Sequence, residues 1–461
     1  MFRRWIGDRA FYRSVFRLLI PIMIQQFITN FVSLLDNVMV GQLGTEAITA
    51  TSIANQVLMV FNLAIFGGMS GISIFGAQFY GKGDMEGMRY SFRSKMIFGA
   101  AASLLAILVY FFLGTEFVQS FLRGESNGGD LALALREGSG YLSVMLWGLL
   151  PFAVVQAYAS TLRESGETVA PMVAGICAIV TNLFLNWVLI FGKFGAPVLG
   201  VQGAAVATVI SRWVELAIVT VHAHRRADRY PFFRGAYASL HVPGKLVSRM
   251  SRTAAPLLVN EILWSLGMTL INQFYSSRGL NAMAALNITG TAWNLFCVIM
   301  FAMGSAVSIM VGQRLGANQL EEARDVDRKL IFLTEVIHVL IGIAMILAAP
   351  YVPRLYNVGA DVQDLTRRLL IVAGLALPIH SFAHVTYFTI RSGGRTLITF
   401  LFDAVYTWAV TVLLAFLLTR FTDLDIVRIY ICVQFIDILK LVIGLIMLRS
   451  DFWARNVVRD I

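Results

Sequence analysis

Apolar residues dominate twelve long segments of the chain, and short polar segments separate them. A helix needs about 20 mostly apolar residues to cross the hydrocarbon core of a bilayer. The segments that reach about this length lie near residues 18–40, 47–75, 96–113, 140–162, 169–191, 199–221, 254–275, 282–312, 330–349, 369–390, 397–419 and 426–448. The pattern therefore predicts an all-α membrane protein with twelve transmembrane helices.

Composition and charge agree with this class. Charged residues make up only 14% of the chain, against about 25% in soluble domains. The net charge of +10 has an ordinary cause, because cytoplasmic loops of membrane proteins collect Lys and Arg. The basic residues fall mainly in the loops on the side of both termini. We therefore expect a multi-pass protein of the inner (plasma) membrane, with both termini in the cytoplasm and no nucleic-acid partner.

The two halves of the chain repeat one another. A shift of 235 positions places Pro21 on Pro256, and a later stretch that starts at Pro151 resembles one that starts at Pro378 with one residue inserted. Six spans per half keep both halves in one orientation, so we expect two pseudo-symmetric six-helix lobes with a substrate cavity between them. The predicted units are an N-lobe over residues 1–221, a cytoplasmic inter-lobe linker over 222–253 and a C-lobe over 254–461.

The first span contains an acidic residue and a proline. Asp36 follows Pro21 by fifteen residues, and an acid inside a span is a functional hypothesis by default because its charge is costly there. A low-dielectric environment favours the neutral carboxyl, which makes proton exchange possible. Pro21 is expected to kink the helix and to let it bend with the state of Asp36. The alternative is that Asp36 only hydrogen-bonds a neighbouring helix.

Polar side chains in other spans of the first half are candidates to surround this acid. Asn182 and Asn186 share one face of the fifth span at i,i+4 spacing. Thr208 lies in the sixth span, and Tyr141 opens the fourth. Together these groups can solvate the carboxyl or supply oxygen ligands to a bound Na⁺. Each of them can instead form an ordinary polar bridge between helices.

The second half carries its own intramembrane charges. Glu261 and Asp403 lie in predicted spans and can form a second ion site or contact a cationic substrate. Asp437 and Lys440 are spaced i,i+3 and are expected to pair with each other on one helix.

Two histidines in the tenth span are further candidates for the C-lobe site. His380 and His384 have a spacing that can hold a metal ion, but HSFAH lacks the Glu of the H-E-x-x-H motif. We therefore expect no metal, and an intramembrane metalloenzyme is the alternative from another functional class. The sequence shows no nucleotide-binding domain, so we expect an ion gradient to drive transport, with H⁺ or Na⁺ as coupling ion and no other cofactor.

The first two spans resemble the MATE (multidrug and toxic compound extrusion) family, in its bacterial DinF-like and NorM-like branch. The resemblance rests on the run LLIPIMIQQFITNFVSLLDNVMVGQLGTEAITATSIANQ, on LRESGET and IRSGGRT, and on the repeat. It implies a cation site at Asp36, Tyr141, Asn182, Asn186 and Thr208. Such relatives often have Asp where this chain has Asn186. This departure leaves a single acid in the site and favours protons over Na⁺.

The sequence thus predicts a transporter and not an enzyme. The resemblance implies a multidrug efflux antiporter that exports organic cations and other xenobiotics in exchange for H⁺ (or Na⁺) by alternating access. Small-molecule drugs and membrane lipid are the expected partners, and the expected state is a monomer. The alternative within the same fold is a flippase for a lipid-linked oligosaccharide or precursor, which should have a cationic cavity.

Overall fold

A computed structural model describes residues 5–122 and 131–460, and nearly all of these residues are helical. The α-helices are α1 (Arg9–Gly41), α2 (Thr45–Lys82), α3 (Met85–Leu122), α4 (Leu131–Glu164), α5 (Val169–Phe191), α6 (Gly200–Arg225), α7 (Gly244–Ser276), α8 (Leu280–Phe296), α9 (Val298–Gly316), α10 (Leu320–Ala348), α11 (Ala360–Ser392), α12 (Thr396–Phe400), α13 (Leu413–Phe421), α14 (Ile426–Phe435) and α15 (Ile438–Arg449). Two π-helical stretches, Leu401–Val405 and Thr407–Val412, join α12 to α13.

Twelve helical segments within the described residues are long and apolar enough to cross a membrane. This confirms the predicted all-α, twelve-span architecture. The predicted eighth span is broken, because α8 ends at Phe296 and α9 begins at Val298. The last span is broken in the same way between α14 and α15.

The chain divides into two compact units. The N-unit comprises Ile20–Gly76 and Asp84–Ser251. The C-unit comprises the described residues up to Leu19, Ala77–Gly83 and the described residues from Arg252 onward. The division therefore falls inside α1 beside Pro21, and α1 is continuous from Arg9 to Gly41 with this proline in its interior.

Small side chains line the helix contacts of the N-unit. In this unit α3 packs on α4, α4 on α6, and α5 on α6. Ala174 and Ala178 of α5 are buried, as are Ala204, Ala205 and Ala207 of α6. Small residues let membrane helices approach closely, and dispersion contacts and hydrogen bonds then hold them together.

The segment after α6 docks onto the N-unit. A short 3₁₀ turn, Pro231–Phe233, buries both of its phenylalanines. Arg93 of α3 donates three hydrogen bonds to backbone oxygens of this segment, to Ala236 at 2.8 Å and to Gly235 and His241 at 3.1 Å. Because these bonds fix the backbone, residues 226–243 form a folded cap on the N-unit.

Helix α11 is the centre of the C-unit, where it packs against α8, α9, α10, α14 and α15. The ends of α2 and α9 also meet in this unit. A Cβ on Gly81 would collide with the backbone of Gln313, and a Cβ on Gly316 would collide with the backbone of Gln78. Gly81 and Gly316 are 235 positions apart, as are the two glutamines. The reciprocal contact therefore follows the internal repeat.

Candidate functional sites

The N-unit holds Asp36 against the amides of α5. Nδ2 of Asn186 donates a hydrogen bond to Oδ1 of Asp36 at 2.7 Å. Asn186 is buried and Asp36 is half-buried. The carboxylate therefore has a direct, charge-assisted donor within the unit.

Asn182 lies between Asp36 and Thr208. With its amide oxygen toward Thr208, it accepts from the Thr208 hydroxyl at 3.1 Å and places its nitrogen 3.1 and 3.2 Å from the two oxygens of Asp36. In the reverse orientation, the Asn182 nitrogen donates to Thr208 Oγ1 at 3.1 Å and its oxygen accepts from Asn186 at 3.3 Å. The first orientation matches donors to acceptors at the carboxylate, so both asparagines donate to Asp36.

Tyr141 completes the group of predicted residues. Its side chain is buried, interacts with the side chain of Asn55 and lies within electrostatic range of Asp36. The structure thus brings Asp36, Tyr141, Asn182, Asn186 and Thr208 together in the N-unit.

One oxygen of this cluster is left without a partner. Oδ1 of Asn186 is buried and accepts no hydrogen bond from any described residue. It belongs to the same amide whose nitrogen donates to Asp36. A protonated carboxyl, which carries a donor hydrogen, or a small cation can use an oxygen at this place.

The C-unit contains a second polar cluster around Asp403. Lys440 donates to its Oδ1 at 2.7 Å, and Nδ2 of Asn260 donates to its Oδ2 at 3.0 Å. Asp403 lies in the π-helical stretch Leu401–Val405, and such stretches are frequent at functional sites. Nζ of Lys440 also lies 5.3 Å from the ring centre of Phe402, so an acid and an aromatic face both stabilise this cation.

The expected pair of Asp437 and Lys440 is wrong, because Lys440 pairs with Asp403. Oδ2 of Asp437 lies 3.3 Å from Nδ1 of His380. The physical reason is the interruption of the last span: α14 ends at Phe435, and Asp437 occupies the N-cap of α15. Residues three positions apart face each other only on a continuous helix, so the expected pairing does not hold at this interruption.

The two predicted histidines have separate surroundings. His380 contacts Asp437 through one ring nitrogen and Gln434 Oε1 at 2.8 Å through the other. The ring of His384 lies 4.8 Å from that of Phe388, and its Nε2 has no hydrogen-bond partner among the described residues. Both nitrogens of His380 are thus engaged by side chains other than His384.

Glu261 lies beside residues that the sequence analysis missed. The Tyr387 hydroxyl donates to its Oε1 at 3.2 Å, and Arg391 and Asp403 lie within electrostatic range. The internal repeat could have drawn attention to Arg391, because this Arg of IRSGGRT aligns with Arg163 of LRESGET in the first half.

Three other acids were also missed, of which Asp327 and Glu164 are buried and Glu335 is half-buried. The Thr389 hydroxyl donates to Asp327 at 2.5 Å, and the Ser381 hydroxyl donates to Glu335 at 2.9 Å. In the N-unit, Glu164 forms a buried ion pair with Lys95. Glu335 lies inside the predicted ninth span, and an acid inside a span could have been recognised from the sequence as a candidate functional residue.

Comparison with known proteins identifies the family. The MatE family model matches residues 21–188 and 256–417, one segment in each half of the repeat. The chain belongs to the MATE family. It is therefore a multi-pass membrane protein of a family of transporters, as the sequence resemblance predicted.

Relatives of this MATE protein are similar along nearly their whole length. The Bacillus subtilis protein named "Probable multidrug resistance protein YoeA" is 26% identical over 91% of this chain and 89% of its own. The Thermotoga maritima protein named "Probable multidrug resistance protein NorM" is 23% identical over 97% and 94%. The crystal structure of the Vibrio cholerae MATE transporter VcmN in the bent form superposes on this chain with a TM-score of 0.83. The two sequences are 19% identical, and the match covers 97% of this chain and 99% of that chain.

Proposed function

We propose that this MATE protein is a multidrug efflux antiporter that exports organic cations and other xenobiotics in exchange for protons. The names of the relatives support multidrug efflux. The observation that carries the proposed coupling is the single acid of the N-unit cluster, Asp36, which accepts a 2.7 Å hydrogen bond from Asn186.

The arrangement of the amides favours H⁺ over Na⁺ as the coupling ion. Hard cations prefer several oxygen ligands. Here the nitrogens of Asn182 and Asn186 are directed at Asp36, so they stabilise an ionised carboxylate and not a cation beside it. Protonation of Asp36 needs no further ligand, and Oδ1 of Asn186 can accept the new hydroxyl after rotation of the amide.

The proposed transport cycle follows from the ionised and the protonated states of the Asp36 side chain. Ionised Asp36 holds the α5 amides and leaves a negative charge that attracts a cationic drug. Protonation removes that charge and one acceptor, so the amides rearrange. Pro21 lacks the backbone N–H of an ordinary helical residue, which lets α1 bend as the cluster rearranges. Proton and drug thereby compete for the N-unit.

We infer that acidic residues of the C-unit contribute to substrate binding. Glu261 and Asp403 offer negative charge to a cationic drug, although Asp403 is already paired with Lys440. Lys95 pairs in the same way with Glu164, so neither of these two buried lysines offers an unpaired positive charge to the anionic headgroup that the flippase alternative requires. We further propose that the protein is a monomer in the plasma membrane, in contact with lipid and with both termini in the cytoplasm. Its coupling ion is H⁺, and it needs no other cofactor.

Ethidium efflux from proteoliposomes tests this function. The purified protein is reconstituted, and a pH gradient and a Na⁺ gradient are imposed separately at equal membrane potential. We expect efflux with the pH gradient alone and no stimulation by Na⁺. Efflux that follows only the Na⁺ gradient would contradict proton coupling, and flipping of a labelled lipid precursor without drug efflux would favour the alternative.

A further inference from the structure

The residues that follow α15 fold back onto the C-unit. Asp451 has a left-handed backbone, with φ at 52°, and a residue in this conformation commonly ends a helix and turns the chain. Beyond it, the side chains of Trp453 and Val458 are buried. These two apolar anchors fix a short segment, residues 451–460, which we call the C-terminal strap.

Gln78, near the end of α2, is the centre of the contacts that the strap makes. Its side chain is fully buried. Nε2 of Gln78 donates to the backbone oxygens of Ser392 at 2.9 Å and Arg455 at 3.1 Å. Oε1 of Gln78 accepts from the backbone N–H of Val457 at 2.7 Å. The strap and the end of α11 therefore engage both donors and the acceptor oxygen of this amide.

Other hydrogen bonds join the strap to the helix ends around it. Nζ of Lys82 donates to the backbone oxygen of Val458 at 3.1 Å. Nδ2 of Asn456 donates to the backbone oxygen of Gly316 at 3.1 Å. A Cβ on Gly393 would collide with the backbone oxygen of Trp453. The strap thus contacts the ends of α2, α9 and α11 within the C-unit.

The piece of α2 that the strap holds is separate from the rest of this helix. Residues 77–83 belong to the C-unit, whereas residues 45–76 belong to the N-unit. Any change of conformation that moves the whole of α2 with the N-unit must therefore break the three hydrogen bonds of Gln78. A change that leaves residues 77–83 in place must instead bend α2.

We propose that the C-terminal strap is a releasable clasp, which holds residues 77–83 on the C-unit in this conformation and opens once in each transport cycle. This inference rests on the proposed transport function and adds a control point to it. The contacts suit such a task, because a hydrogen bond to the backbone is weak in net terms and several of them act together. The alternative is a strap that stays attached throughout the cycle.

A reversible cross-link tests the release. A Cβ on Gly394 would lie 3.8 Å from Cβ of Val457, which suits a disulfide. Gly394→Cys and Val457→Cys are combined in a protein whose three native cysteines are replaced by alanine, namely Cys177, Cys297 and Cys432. Ethidium efflux from proteoliposomes under a pH gradient is measured before and after reduction of the same sample.

We expect the cross-linked protein to lose most of its efflux and reduction to restore it. Gly394 has a positive φ of 75°, where a side chain is strained. The reference rate is therefore that of the Gly394→Cys single variant in the same cysteine-free background. Mass spectrometry measures the extent of the cross-link.

Hydrogen exchange of the full-length protein in lipid nanodiscs tests the clasp without turnover. Gln78→Ala removes the acceptor of the Val457 amide, so it should speed exchange of the strap about tenfold or more. Unchanged exchange in α5 shows that the variant is folded. Gln363→Ala is the matched control, because Gln363 lies near the start of α11 and donates to the backbone oxygen of Val358 at 3.1 Å. It should leave exchange in the strap unchanged.

Two results would overturn the inference. Full efflux by the completely cross-linked protein would show that the strap stays attached during transport. Unchanged exchange of the strap in Gln78→Ala would show that Gln78 does not hold it. An unaltered protein that exports no drug, while Gln78→Ala still frees the strap, would contradict the proposed function and not the clasp.

Discussion

Nδ2 of Asn186 lies 2.7 Å from Oδ1 of Asp36. An amide therefore stands where a second carboxylate would face the first at hydrogen-bond distance. Two carboxylates that share a site cannot both be ionised without a cation or a proton between them. With an amide in this place, Asp36 can be ionised alone, and a single proton changes the charge of the site.

Asn186→Asp should change the ion dependence of transport. The second acid adds negative charge and two oxygen ligands beside Asp36, which favours a bound cation. We expect ethidium efflux by this variant to become stimulated by Na⁺, as measured in proteoliposomes at constant pH. Asn186→Ala removes the donor without adding charge and should show no Na⁺ stimulation. Equal Na⁺ responses in the two variants would refute this interpretation.

Loss of one partner of the Lys95–Glu164 ion pair should destabilise the protein. Both side chains are almost fully buried, and breaking such a pair typically costs about 3–5 kcal/mol because a charge remains unpaired. Lys95→Met or Glu164→Gln should lower the apparent Tm in detergent, and the double variant should recover part of the loss. Arg367→Gln, which breaks an exposed pair with Asp364, serves as the control and should leave Tm unchanged.

The reciprocal glycine contact in the C-unit should not tolerate a methyl group. A Cβ on Gly81 or Gly316 meets backbone atoms of the opposite helix, and backbone cannot move aside as a flexible side chain can. We expect Gly81→Ala and Gly316→Ala each to lower the apparent Tm by several degrees. Gly290→Ala in α8 is the control, because its added Cβ has nothing within 4 Å. If Gly290→Ala lowers the apparent Tm as much as the other two variants do, the steric explanation is excluded.

The docked cap contributes a pH-dependent term to stability. Burial acts to raise the pKa of the Glu167 carboxyl, but hydrogen bonds from the Tyr230 hydroxyl and from the backbone of Ala170, together with the charge of Arg229, leave it below its ordinary value. A carboxyl whose pKa is lowered by folding stabilises the protein above its unfolded pKa. This contribution is lost as the pH falls through the folded pKa.

Glu167→Gln should therefore lower the apparent Tm at pH 7, and the difference from the unaltered protein should shrink below about pH 4, where the carboxyl becomes protonated. Tyr230→Phe removes the 2.7 Å hydrogen bond to Glu167 and should show the same trend with a smaller amplitude. A Tm difference that is constant between pH 7 and pH 3.5 would show that this carboxylate does not stabilise the cap.

The sequence could predict the twelve spans and the group around Asp36, because regular helices convert spacing into position. Asn182 and Asn186 lie four residues apart on the uninterrupted α5 and so face one neighbour. The prediction failed for Asp437 and Lys440, where the helix is interrupted. No periodic pattern marks such an interruption in an evenly apolar run.

The buried ion pair and Arg391 lay beyond the sequence analysis for another reason. Lys95 directly precedes the predicted third span, and Arg391 directly follows the predicted tenth span. The helices extend further than the apolar runs do, since α3 begins at Met85 and α11 ends at Ser392. Only tertiary packing decides whether a charge at such a place is buried.

The central claim is that Asp36 exchanges a proton for a drug. The most direct measurement is drug-induced proton release from the purified protein in weakly buffered detergent solution, followed with a pH indicator. We expect ethidium to release protons from the unaltered protein in proportion to the drug bound, and to release none from Asp36→Asn. Ethidium binding without proton release from the unaltered protein, or equal release from Asp36→Asn, would contradict the account.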